Sequence, residues 1–408
     1  MKRTNRWRVG AVLCMFLFSI SSVCAQDWPQ WRGPDRDGKV SGFTTPQEWP
    51  KELKQVWQTK VGLGDASIAL VGEKLYVFTR QGDEEAILCL NAGSGDELWR
   101  NAYTTPAVTG PPGSHPGPRS TPTVADGKVV TLGVNGVLSC LNAADGNVVW
   151  RKDEYTKTVP EFFTAMSPIV VDGMCIAHLG GKDNGVLLAF DLASGAQKWK
   201  WEGDGPTYSS PVLMTVEGMK QLVVQTEKNL IGFDPVDGKL LWQIATPNQR
   251  RFYSSSTPIV DGQTLIVTGQ GGGTKAYKIA KQDDKFVTEE LWINEEPGVA
   301  FNTPVLKNGL LYGLNVAGNI FCLNAKTGKS AWTDSNRIDR FGSILDAGSV
   351  LVALSPKSEF IVFKPSDTYY EEVARIKVSE TPIYAHPLLA GNHVFIKDQE
   401  SVTKFSIE

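Results

Sequence analysis

Residues 121–150 read TPTVADGKVVTLGVNGVLSCLNAADGNVVW, and this stretch decides the fold. It opens on Thr121-Pro122, reverses at Asp126-Gly127, runs through two apolar segments at 129–132 and 137–141, and closes on Asn142, Gly146 and Trp150 in steps of four. Short β-branched runs punctuated by Gly-containing turns read as strands. The closing triplet recurs as Asn91/Gly95/Trp99, Asp191/Gly195/Trp199, Asp234/Gly238/Trp242 and Asn324/Gly328/Trp332. Trp292 closes a copy that lacks the Gly, and Trp57 stands alone in Val56-Trp57-Gln58-Thr59. The opening recurs as Ser-Pro or Thr-Pro at Ser167, Ser210, Thr257 and Thr303, with degenerate forms at Ala66, Gly342 and His386.

A self-similar unit of roughly 40 to 50 residues with four short strands is a propeller blade. Eight openings predict an all-β, eight-bladed β-propeller. The last copy, 386–405, has three strands of its own, so the strand around Trp57 supplies the fourth and closes the ring. This divides the chain into a single propeller domain at 53–408 and a non-repeated lead-in at 26–52. The composition agrees: 408 residues with 40 Gly, 23 Pro and 12 Trp, 41% hydrophobic and 21% charged, exclude a disordered chain or a coiled coil.

Residues 1–25 differ from the rest. Lys2, Arg3, Arg6 and Arg8 precede an apolar run at 9–20 that is too short for a bilayer, which needs about 20 residues. Small residues follow, and Val23 and Ala25 suit cleavage before Gln26, as in a secretory signal peptide. Cys24 offers a lipid-anchored alternative. The mature chain is expected in the periplasm or cell envelope, or secreted, without a transmembrane segment. Losing four basic residues shifts the formal charge from −3 to −7 and leaves no Lys/Arg cluster, which argues against nucleic acid as a partner.

Repetition reassigns residues that look chemical in isolation. Asp191, Asp234 and Asp237 stand in turns where other copies carry Asn, so they cap backbone amides rather than act as acids. The aromatic rings of Trp57, Trp99, Trp150, Trp199, Trp242, Trp292 and Trp332 lie on outer strands, where each can bury roughly 200 Å² against the next blade. Cys89, Cys140 and Cys322 share one repeat position, so they are too far apart for disulfides, and with Cys175 they are read as buried free thiols. Gly269–Gly273 lies between two strands with no helix after it, which favours a hairpin over a phosphate loop. The four His show no metal-ligand spacing, and no catalytic residue is assigned.

The closing signature, as in 90–99 and 323–332, resembles the pyrroloquinoline-quinone (PQQ)-like propeller family, and the resemblance covers nearly the whole mature chain. Asp27-Trp28-Pro29-Gln30-Trp31-Arg32-Gly33-Pro34 is similar to the N-terminal Trp block of such proteins. The family implies one of two activities: quinoprotein dehydrogenases of alcohols or sugars, which use PQQ with Ca²⁺, and non-catalytic members such as the outer-membrane assembly lipoprotein BamB. The dehydrogenases carry two adjacent Cys, a Glu/Asn/Asp set for Ca²⁺ and a catalytic Asp. This chain has no adjacent Cys pair and is close to a bare propeller. The reading is therefore an exported, monomeric, non-catalytic binding or assembly scaffold with no cofactor and no metal; the alternative is a PQQ-dependent dehydrogenase.

In a four-stranded blade the first and third turns share one face, while the second turn and the blade-to-blade connections share the other. Length variation falls on the latter, at 101–120 and 249–253, and recognition concentrates on such loops. Two residues ahead of the openings stand Arg119, Tyr208, Phe301, Arg340 and Tyr384. With Tyr253 and His386 they form the candidate site for a protein or peptide partner or a small anionic ligand.

Overall fold

The computed structural model describes residues 27–246 and 254–407; the signal peptide expected at 1–25 and Tyr253 lie outside them. Eight four-stranded antiparallel sheets form the eight blades of a propeller. Blade 1 runs Ala69–Val71, Lys74–Gln81, Glu84–Asn91 and Glu97–Thr104 from the channel outward. Blades 2 to 7 repeat the pattern at 123–152, 169–203, 212–245, 259–294, 305–337 and 343–377. In blade 8 the N-terminal strand Lys54–Lys60 pairs outside Ser401–Ser406, with Trp57 opposite Lys404. The last blade thus closes as the sequence predicts.

The hydrophobic clusters lie between blades rather than within them. One joins blades 2 and 3 through Val130, Cys140, Trp150 and Leu188, and others repeat this arrangement around the ring. The Trp rings set the spacing. Trp99 donates its indole N–H to Ala143 O of blade 2 at 3.3 Å and lies flat on that blade's closing turn. Gly146 there has φ +74°, and a Cβ would meet the Trp99 ring at 2.4 Å. Trp57, Trp150, Trp199 and Trp292 make the corresponding bonds to Ala92, Leu192, Pro235 and Ala325. Opposite them on the third strand stand small residues such as Cys89, Cys140 and Ala189, because the indole fills the space beside them. The four cysteines among the described residues, Cys89, Cys140, Cys175 and Cys322, are buried and free.

Two joints differ. Blade 5 has no closing Gly; its last hairpin, Gly273–Gln282 with Lys285–Asn294, is longer than those of its neighbours. Trp242 therefore turns to its own blade and donates to Gln221 Oε1 at 2.6 Å. In blade 7 the Trp register position holds Ala374, paired with Val362. Trp49 of the lead-in packs into the same cluster, 6.0 Å from the Phe360 ring.

A second ring runs along the channel. At four successive joints the Thr or Ser hydroxyl of an opening accepts a backbone N–H from the neighbouring blade: Thr121 N to Ser167 Oγ, Ser167 N to Ser210 Oγ, Ser210 N to Thr257 Oγ1 and Thr257 N to Thr303 Oγ1, at 2.9 to 3.2 Å. His386 N donates likewise to Ser67 Oγ. The opening of blade 1 is therefore Ser67 rather than Ala66, and strand pairing places that of blade 7 at Ser343 rather than Gly342.

The lead-in enters the channel from the face of the tight turns. It touches every blade: Trp28 bridges Leu70, Pro29 O accepts from Val124 N, and Val40 N donates to Asp346 O. Arg36 donates to Ser167 O, Pro168 O and Pro211 O; Arg32 donates to Thr303 O and Pro304 O; Trp31 reaches Thr257 Oγ1. Thr44 N donates to Gly391 O of blade 8. Between this plug and blades 4 and 5 lies a cavity of about 200 Å³.

Candidate functional site

With the plug at one end, the open end is the mouth on the long-connection face. The corrected openings define the position two residues upstream in every blade: Asp65, Arg119, Ala165, Tyr208, Ser255, Phe301, Phe341 and Tyr384. Asp65 and Phe341 escaped the sequence reading because Ala66 and Gly342 were taken as the openings of their blades, which shifted the position to Gly64 and Arg340.

Most of these residues are brought together in one arc. Phe301 and Phe341 stack with ring centroids 4.3 Å apart and planes 7° from parallel, and Arg340 lies over both at 5.5 and 5.2 Å. Phe341 meets Tyr384 edge-on at 6.0 Å, and Tyr384 meets His115 edge-on at 4.7 Å. His115 Nδ1 is 2.8 Å from Asp65 Oδ2. Arg119 donates to His115 O at 3.0 Å and to Phe162 O, whose own N–H donates to Tyr208 Oη at 2.9 Å. The chain of contacts runs through the connections from blade 5 around to blade 4; the stretch 247–253, between blades 4 and 5, lies outside the described residues.

The elements that hold the arc are local. Pro111–Ser114 forms a 3-10 turn that delivers His115 to the rim. The Asp65 segment is fixed by Asp65 N to Pro118 O at 2.8 Å and by the buried Lys397, which donates to Gly62 O, Gly64 O and Asp398 O. Burial pulls the Lys397 ammonium down to about 8. Burial also lowers the Arg119 guanidinium, against the pull of Asp65, and raises the Tyr384 phenol, with Asp65 and Asp339 adding to the rise. Below Arg119 the buried Glu85 carboxyl is raised by burial and held by Tyr103 Oη at 2.5 Å and Val134 N at 3.0 Å.

The residues expected to work together thus divide into three. Arg119 and Tyr208 spend hydrogen bonds on loop backbone, so they shape the rim. Phe301, Arg340 and the half-buried Tyr384 line the rim together with Phe341, which the sequence did not mark; Phe301 is 40% exposed and Phe341 37%. His386 sits apart, buried in the channel 4.5 Å edge-on from Trp31 of the plug, with burial and the nearby Arg32 holding its imidazole well below the usual range. The turn carboxylates cap amides: Asp191 Oδ1 accepts Ser194 N and Asp234 Oδ1 accepts Val236 N. Gly269–Gly273 is a hairpin turn.

The family model described as "Outer membrane protein assembly factor BamB" matches residues 50–200 and 167–334. The chain belongs to this family. It is 24% identical over 304 residues to the outer membrane protein assembly factor BamB of Yersinia pestis, a match that covers 72% of this chain and 64% of that protein. The chain thus aligns with less than two thirds of that relative's length. Among solved structures it resembles BamB from Moraxella catarrhalis, with TM-score 0.65 and 13% identity over 87% of this chain and 97% of that one. It also resembles the quinohemoprotein alcohol dehydrogenase of Comamonas testosteroni, with TM-score 0.72 and 15% identity over 93% of this chain and 80% of that one. At these identities the structural likenesses show a shared fold.

The sequence offers no adjacent Cys pair, and the four thiols of the described residues are buried in blades rather than facing the channel mouth. Among the described residues no three His, Cys, Asp or Glu gather as a metal set. Asp65, the rim carboxylate of the arc, is engaged by His115.

Proposed function

We propose that this chain is an exported, non-catalytic propeller scaffold of the cell envelope that binds a protein partner at its mouth, in the manner its family name implies for outer membrane protein assembly. The observation that carries the reading is the exposed arc of Phe301, Phe341, Arg340 and Tyr384 at the end of the channel that the plug leaves open. Aromatic residues and Arg in this arrangement are those that concentrate interface energy. No helix among the described residues is long and apolar enough to cross a membrane.

The test is photocrosslinking in the native envelope, with a photoreactive residue at Phe341 on the mouth and, separately, at Asp35 on the plug face. Crosslinks to an envelope protein from position 341 and none from position 35 support the reading. The reverse pattern, or turnover of alcohols or sugars by purified protein loaded with PQQ and Ca²⁺, overturns it.

A further inference from the structure

Within the arc, Arg340 differs from every other buried or half-buried Arg described above. Arg32, Arg36 and Arg119 spend their donors on backbone carbonyls. Arg340 is exposed, has no carboxylate or carbonyl partner among the described residues, and lies against the stacked Phe pair, 5.5 and 5.2 Å from the two ring centroids. The neighbouring Asp339 makes no ion pair with it; its Oδ1 accepts the Phe341 N–H at 3.0 Å. A guanidinium already oriented on aromatic faces keeps its planar fork free for a carboxylate and loses less side-chain freedom when one binds.

We infer that Arg340, Phe301, Phe341 and Tyr384 form a docking site for an acidic, extended peptide segment of a protein partner. This rests on the scaffold reading above and names the partner's chemistry. Charge complementarity requires the acidic residue: an unspent cation is matched by Asp or Glu. The shape requires a peptide rather than a small molecule, because the rings lie on an exposed rim instead of enclosing a cavity, and small ligands depend on enclosure. Centroid steps of 4.3, 6.0 and 4.7 Å from Phe301 to His115 carry the path at most about 15 Å, the reach of about five extended residues at ~3.3 Å each. Alternate side chains of such a segment would place a carboxylate over Arg340 and an apolar group on Phe341 or Tyr384.

The experiment measures anisotropy of fluorescent peptides of alternating Glu and Leu, Gln and Leu, or Lys and Leu with the full mature chain. The Glu peptide should bind best, and raised salt should weaken it. Arg340→Gln should cost about tenfold or more and flatten the salt dependence, while Arg340→Lys restores only part of the affinity. Because Arg340 is exposed, thermal unfolding of both variants should match the wild type. Equal binding of the Glu and Gln peptides, no effect of Arg340→Gln, or equal competition by free glutamate overturns the proposal. If the position-341 crosslinks persist while Arg340→Gln leaves peptide binding unchanged, this site fails and the scaffold reading stands.

Discussion

At the residue scale, a closing Gly does two separable jobs, and a first-turn Gly does only one of them. Gly127 and Gly146 both lie in the left-handed region, at φ +70° and +74°, but a Cβ at Gly127 meets nothing within 4 Å, whereas one at Gly146 strikes the Trp99 ring at 2.4 Å. Gly127→Ala should therefore cost only the backbone preference, about 1 to 2 kcal/mol. Gly146→Ala should cost about 1 to 3 kcal/mol more, because the indole must leave its seat. Chemical denaturation of both variants checks this, and equal losses would mean that the ring contact contributes nothing. The Gly, the Trp and the small residue opposite were legible because repetition exposes them. Asp65 and Phe341 were not, since Ser67 and Ser343 hold the opening position without a Pro to mark the register.

At the scale of elements, the repeat explains six of the joints, Trp242 departs from it at the joint of blades 4 and 5, and the lead-in mends the joint of blades 7 and 8. Blade 7 carries Ala374 where its neighbours carry Trp, and the gap is covered by Trp49, with Phe43 6.3 Å beyond it. Nothing in the sequence around Trp49 announces this role, because a segment that occurs once has no pattern from which its partner can be inferred. Trp49→Ala should lower stability by about 2 to 3 kcal/mol, less than a fully buried Trp because the side chain is half-buried, and Trp49→Phe should recover most of it. A loss below about 0.5 kcal/mol, the usual range of surface substitutions, would show that the blade 7 to blade 8 joint does not depend on it.

At the scale of the whole molecule, the ring is closed twice, and the two devices fail differently. Strand Lys54–Lys60 covers the edge of Ser401–Ser406. The plug cross-braces the channel through Arg32 and Arg36, whose guanidinium groups are so fully desolvated that burial pulls them down to about 10 and about 9. The pairing strand was legible from the orphan Trp57, whereas the plug was not. A chain beginning at Pro50 loses the plug and keeps the strand. Its carbonyls at 167, 168, 211, 303 and 304 then face a water-filled channel, so each lost bond costs about 1 kcal/mol rather than a full desolvation penalty. This protein should stay monomeric, with a lower Tm. A chain beginning at Val61 also loses the strand and presents an unpaired edge whose next partner is another copy, so it should elute as oligomers or aggregate. Light scattering and thermal melts of the two truncations distinguish the devices. A monomeric, cooperatively melting protein from the Val61 start would show that neither device is needed to hold the ring.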